Sequence, residues 1–138
     1  MRKGFTLIEL IIVVGVLSIA AAAAYPALSG GGEIAIDAAA KLVKSDMQRT
    51  RLAAMTKGAP GSAVFTQGAS AYVYDGATEG LARDLADTAP GLTIADGVTI
   101  TFNTLGEPVS GAAAVVLSCQ GMTRRVIVEA YTGAAYVQ

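Results

Sequence analysis

Apolar residues run almost unbroken across positions 5–28, and Glu9 is the single charge inside that run. A continuous helix over these residues would be about 36 Å long, enough to cross a ~30 Å hydrocarbon layer. The pattern then changes. Ile36, Ala40, Val43, Met47 and Ala54 recur at three-, four- and seven-residue steps, which predicts an amphipathic helix over 34–57. Asp37 stands four residues before Lys41, a spacing that favours an ion pair along that helix. Gly58-Ala59-Pro60-Gly61 ends it.

Beyond Gly61 the chain reads as short strands and turns, the β-rich stretch 62–138. Segments 62–66 and 70–74 flank Gln67-Gly68-Ala69, a hairpin. Residues 75–90 form an acidic, alanine-rich connection without a period. Segments 91–94 and 98–102, about Asp96-Gly97, read as a second hairpin or a strand with a bulge. Segments 113–118 and 123–131 make a third hairpin about residues 119–122, and Thr132-Gly133 turns the chain into a last strand at 134–137. The fold class is therefore α+β: a long N-terminal hydrophobic helix leads into a small globular domain of antiparallel strands, packed on the C-terminal half of the helix. Residues 34–138 form that domain, and Gly30-Gly31-Gly32 predicts a flexible break at 29–33.

Within the apolar run, Pro26 removes a helical hydrogen bond and should kink or interrupt the helix. Gly15 lowers helix propensity by about 1 kcal/mol relative to alanine. Glu9 raises a sharper question, because an ionised group in hydrocarbon costs roughly 2.5–3.5 kcal/mol and needs a partner. A newly exposed N-terminal amine one helical turn away, on this chain or a neighbour, would serve.

Gly4-Phe5-Thr6-Leu7-Ile8-Glu9-Leu10, followed by that hydrophobic helix, resembles the type III signal of type IV pilins and type II secretion pseudopilins. The resemblance implies a four-residue leader, 1–4, cut by a prepilin peptidase between Gly4 and Phe5, with N-methylation of Phe5. It implies that Glu9 neutralises the Phe5 amine of an adjacent subunit and sets axial register during assembly. It also implies that the helix loosens between a glycine and a proline placed like Gly15 and Pro26. Residues 44–55, the strand 97–102, Gly106-Glu107-Pro108-Val109 and Arg124-Arg125-Val126-Ile127-Val128 resemble the H-type minor pseudopilins and FimT-like minor pilins.

Composition agrees with a membrane stem on a small domain. Of 138 residues, 53% are hydrophobic, and the excess is concentrated in 5–28. Arg2 and Lys3 precede the stem, so the positive-inside rule leaves the N-terminus cytoplasmic and the globular domain on the far side. A conventional secretory signal is the rival, with Arg2-Lys3 as its basic region and small-residue cleavage sites across 20–24. A carboxylate at position 9 weakens that alternative, in which the mature chain would be a periplasmic binding module.

Net charge is −1, and loss of Arg2 and Lys3 lowers it by two more, which does not favour generic nucleic-acid binding. Some FimT-like minor pilins bind DNA through arginines near the C-terminus; the tail from Tyr131 onward has none. Arg124 and Arg125 fall on opposite faces of a strand. Lys41, Lys44, Arg49, Arg51 and Lys57 cluster with only Asp46 opposing them, whereas Asp75, Glu79, Asp84, Asp87, Asp96 and Glu107 are opposed only by Arg83. The group Asp75, Glu79, Asp84, Asp87 invites a calcium reading but lacks the alternating oxygen ligands of an EF-hand loop.

Histidine is absent and no serine has a Gly-x-Ser-x-Gly setting, so no nucleophile–base pair is visible. Cys119 is the sole cysteine, which rules out an internal disulfide and reads as a small buried apolar residue. The expectation is a non-enzymatic subunit without a cofactor or metal. It would be a minor pseudopilin of a type II secretion pseudopilus or, alternatively, a FimT-like minor type IV pilin priming pilus assembly or DNA uptake. Its partners would be membrane lipid, other pilin or pseudopilin subunits, the prepilin peptidase and an inner-membrane assembly platform. The subunit would rest in the bacterial inner membrane, single-pass, with its globular domain periplasmic, before extraction into a filament.

Overall fold

The computed structural model describes residues 7–29, 31–78 and 80–138, with the side chains of 21–29 outside that description. The chain divides into two compact units at Gly31/Gly32. The first holds helix α1, Leu7–Ser29, in which helical backbone continues through Gly15 and Pro26 without interruption. Helix α2, Gly31–Lys57, follows and begins three residues ahead of the expected 34. Of the break expected at 29–33, the described residues are therefore helical, and Gly30 lies outside them. Glycine weakens a helix, yet Gly32 is held by tertiary packing: a Cβ there would lie 2.8 Å from Met122 Cε.

Among the described residues eight strands follow: β1 Gly61–Phe65, β2 Ala71–Tyr74, β3 Leu81–Asp84, β4 Thr93–Ile94, β5 Val98–Phe102, β6 Ala113–Cys119, β7 Met122–Val128 and β8 Ala135–Val137. They form two antiparallel sheets, ordered β3-β2-β1-β5 and β4-β6-β7-β8. The first and third hairpins fall where the sequence predicts them, with Ala63 opposite Tyr74 and Leu117 opposite Arg124. The third closes on Gln120-Gly121, both with positive φ, at 50° and 81°. That pair of left-handed residues matches the twist of a two-residue hairpin loop.

Two expectations need correction. The second hairpin does not exist: β4 pairs with β6 and β5 with β1, so the chain crosses between sheets at 95–97. Asp-Gly is a strong turn signal, but the hydrogen-bonding partners on either side of it lie elsewhere in the chain. Nor is 75–90 without regular structure. It contains β3, whose Leu-Ala-Arg-Asp is too short and polar to show a period yet pairs along all of β2.

The core is drawn from α2 and both sheets. Ile36, Ala39, Ala40, Val43, Met47 and Ala54 are buried against Ala63, Phe65, Ile100 and Phe102 of the first sheet, and Val115, Leu117, Val126 and Val128 of the second. Alternate strand residues face inward, as the period of two demands; β6 and β7 bury every second position along much of their length. Cys119 is buried, as expected, with its thiol 3.6 Å from the Pro90 carbonyl.

Candidate functional site

Glu9 lies in the first turn of α1, exposed among Leu7, Ile8, Leu10, Ile11 and Ile12, whose side chains all face solvent in the isolated chain. Gly4 and Phe5, the expected processing site, lie outside the described residues. A Cβ at Gly15 would meet nothing within 4 Å. Among the described residues, no helix is long and apolar enough to cross a membrane. The expected span 5–28 exceeds the stretch of α1 with described side chains, 7–20, which covers only about 21 Å.

In the globular unit, α2 is fastened to the sheets by two sets of charged contacts that sequence periodicity did not anticipate. Near its start, Arg124 of β7 donates from Nε to Asp37, and from Nη2 to Glu33 at 3.2 Å. Asp37 thus finds Arg124 in place of the expected Lys41. Hydrogen bonding to Asp37, then the charges of Asp37 and Glu33, raise the Arg124 pKa. Arg125, the next residue, is exposed on the other face of the strand.

Further along α2, Asp46 is only 1% exposed. Its Oδ2 accepts a 2.6 Å hydrogen bond from the Tyr72 hydroxyl and another from Arg83 Nε, while Oδ1 accepts from Arg83 Nη2 at 3.1 Å. Arg49 approaches the same carboxylate at 3.8 Å. Phe65, Tyr72 and Arg83 form one cross-strand row over β1, β2 and β3. Within it the Phe65 and Tyr72 rings stack at 4.7 Å, and the Arg83 guanidinium also lies 5.8 Å from the centre of the Tyr74 ring. Burial, and then the hydrogen bond to Asp46, push the Tyr72 pKa far above that of an ordinary phenol. The hydrogen bond to Asp46 likewise raises that of Arg83. One signal was available in the sequence: Asp46 and Thr50 continue the spacing of Val43 and Ala54, which places both on the buried stripe. Nothing local pointed to Tyr72 or Arg83 as their partners.

The acidic residues considered for calcium serve the backbone. Asp75 Oδ2 accepts from the Ser62 N–H at 2.8 Å and its hydroxyl at 3.0 Å, and Oδ1 accepts from the Gly80 N–H at 3.0 Å. Burial alone would raise the Asp75 pKa, but these three donors outweigh it and hold the carboxyl below its usual range. Asp84 accepts from the Ala86 N–H, which lowers its pKa too. Glu79 lies outside the described residues, and among those described no acidic or sulfur cluster is arranged to hold a metal ion.

At the far end of α2, Arg51 donates from Nε to the Gly106 carbonyl at 3.1 Å. Gly133, in the turn before β8, abuts the same carbonyl so closely that a Cβ would lie 2.1 Å from its oxygen. Helix, 103–108 turn and β7–β8 turn thus meet at a single point.

Comparison with known proteins agrees with this architecture. The family described as the prokaryotic N-terminal methylation motif matches residues 1–25. A pilin-like protein, PilA1 of Thermus thermophilus, is 32% identical over 148 residues, covering 92% of this chain and 93% of its own length. Among solved structures, the type IV minor pilin FimU of Pseudomonas aeruginosa shares the fold in two crystal forms. One has a TM-score of 0.57 at 14% identity, covering 74% of this chain and 91% of FimU; the other has 0.54 at 17%, covering 75% and 86%.

Proposed function

This chain belongs to the type IV pilin-like proteins, and from that footing we propose that it is a minor structural subunit of a helical filament, matured by a prepilin peptidase. Proteins of this family are structural subunits and not enzymes. The observation that carries the reading is a methylation motif over 1–25 joined to an α+β domain of the minor-pilin fold.

In the proposed mechanism, residues 1–4 are removed at the cytoplasmic face, and the Phe5 amine becomes the new N-terminus and is methylated. The stem 5–28 holds the subunit in the inner membrane with the domain in the periplasm. On assembly, Glu9 of one subunit meets the Phe5 amine of its neighbour. Removing two opposite charges from water separately is costly, and their meeting in the filament core offsets that cost. Apolar stems then bury one another. The chain contributes its stem and charge pair, while the work of extraction comes from an assembly platform.

A minor type IV pilin is one reading, compatible with a relative described as pilin-like. A type II secretion pseudopilin of the H type is the second reading, supported by the resemblance of 44–55, 97–102 and 124–128. Deleting the gene separates them: loss of surface pili supports the first, and accumulation of exoproteins in the periplasm the second. Mass spectrometry of the native protein tests both, with a methylated Phe5 expected as first residue. A first residue near Tyr25 would mean conventional export and would overturn the filament reading. Glu9→Val should leave membrane insertion intact and abolish entry into filaments; normal incorporation would remove Glu9 from the mechanism.

A further inference from the structure

An open cleft of about 590 Å³ lies between the last turns of α2 and the β2–β3 connection. Leu52, Ala53 and Thr56 line one wall, and Tyr74 and Leu81 the other. Its surface is mostly apolar, and two cationic residues, Arg49 and Lys57, also contribute to its lining. Arg49 shares the Asp46 carboxylate at 3.8 Å yet remains 62% exposed.

The 103–109 turn has the opposite character. Leu105 and Val109 are 70% and 67% exposed, and between them in sequence lies exposed Glu107, one of whose carboxylate oxygens accepts from Asn103 Nδ2 at 3.0 Å. Isolated exposed apolar residues are ordinary, but this turn is unusually well braced. Asn103 Oδ1 accepts from the N–H groups of Leu105 and Glu107, at 2.9 and 3.0 Å. The Asn103 N–H donates to Glu107 O, Val109 N–H to Thr101 O, and Arg51 to Gly106 O. A ridge already held in one shape loses little entropy when it docks.

Ridge and cleft cannot meet within one chain. Arg51 and Met55, against which the ridge is seated, lie two residues either side of Ala53 on α2. At about 100° per residue they face almost diametrically away from it. We propose that the cleft beside Arg49 and Lys57 receives the Leu105–Glu107–Val109 ridge of a second copy of this chain. The apolar side chains supply the buried area, and Glu107 between two cations supplies steering and register. Because cleft and ridge lie on opposite sides of the helix, the contact is head-to-tail and leaves a further cleft and ridge open, so copies add in a row. This rests on the filament reading and goes beyond it, since it makes identical copies lateral neighbours.

The test uses the full-length chain in cells that carry the assembly machinery, with mild oxidation. Ala53→Cys and Leu105→Cys expressed together on one chain should give a ladder of crosslinked multimers, and the two single variants co-expressed should give dimers. Either alone should stay at the wild-type background, and Thr56→Cys can replace Ala53→Cys if the latter fails to accumulate. Val16→Cys in the stem serves as the marker of filament packing. Absence of cleft–ridge crosslinks overturns this contact whether or not the stem crosslinks; the filament reading stands or falls separately, on a methylated Phe5 as the first residue of the same preparation. A crosslinked product whose mass is not a multiple of this chain means another protein fills the cleft, which overturns the second-copy assignment. Glu107→Lys should reduce the ladder at least five-fold, and adding Lys57→Glu should recover at least half of it. Absence of recovery overturns the charge pairing.

Discussion

The Tyr72 hydroxyl donates a 2.6 Å hydrogen bond to Asp46, joining the middle of α2 to the first sheet through a carboxylate sealed from solvent. A buried carboxylate is tolerable only when its oxygens are occupied, and here Tyr72 and Arg83 occupy them. The contact ties the buried face of the helix to β2 and β3.

Asp46→Ala should destabilise the domain by about 3 kcal/mol, because it leaves Arg83 and Tyr72 without their shared acceptor. Thermal unfolding of the full chain in detergent, followed by circular dichroism, should show the midpoint falling by more than about 10 °C. Arg83→Met added to Asp46→Ala should cost much less than the two single changes summed.

Tyr72 makes stability sensitive to alkali. Burial and the neighbouring carboxylate raise its pKa above the ordinary 10.0. The folded state therefore keeps the proton that the unfolded chain gives up. Its contribution is complete below about pH 10 and is lost as pH rises beyond that value. Denaturant unfolding between pH 8 and pH 11 should show a decline in wild type that is shallower in Tyr72→Phe.

Asp75 works in the opposite direction. Its lowered pKa means that its contribution is present above the ordinary 3.8 and disappears as pH falls through the depressed value. Asp75→Asn should be less stable than wild type at neutral pH, and the two should converge in strong acid. A constant difference across the acid range would contradict the assignment.

Gly133→Ala should cost about 2–4 kcal/mol, combining a left-handed φ of 64° with a Cβ placed 2.1 Å from the Gly106 oxygen. Gly111→Ala is the control. Its φ is 80°, but a Cβ there meets nothing within 4 Å, so about 1–2 kcal/mol is expected. Equal unfolding midpoints for the two would refute the close approach.

Much of the architecture was legible from periodicity. The stripe Ile36, Ala40, Val43, Met47, Ala54 is buried as read, and two hairpins lie about the glycine turns that announced them. Illegible were β3, too short to carry a period, and the separation of β4 from β5. In the sequence alone Asp46 is a counter-charge to the basic residues of α2, although its spacing sets it among buried positions.

Local patterning was sufficient to declare an apolar stem carrying one acid, an amphipathic helix and a strand-rich remainder, because burial periodicity and turn chemistry are properties of neighbouring residues. The methylation motif over 1–25 is likewise a matter of contiguous residues. Pairings over long separations needed the folded chain: Asp46 with Tyr72 and Arg83, Asp37 with Arg124, and Gly133 against Gly106. Each joins elements whose proximity follows from the order of strands in the two sheets, and that order arises from the simultaneous packing of all of them on α2.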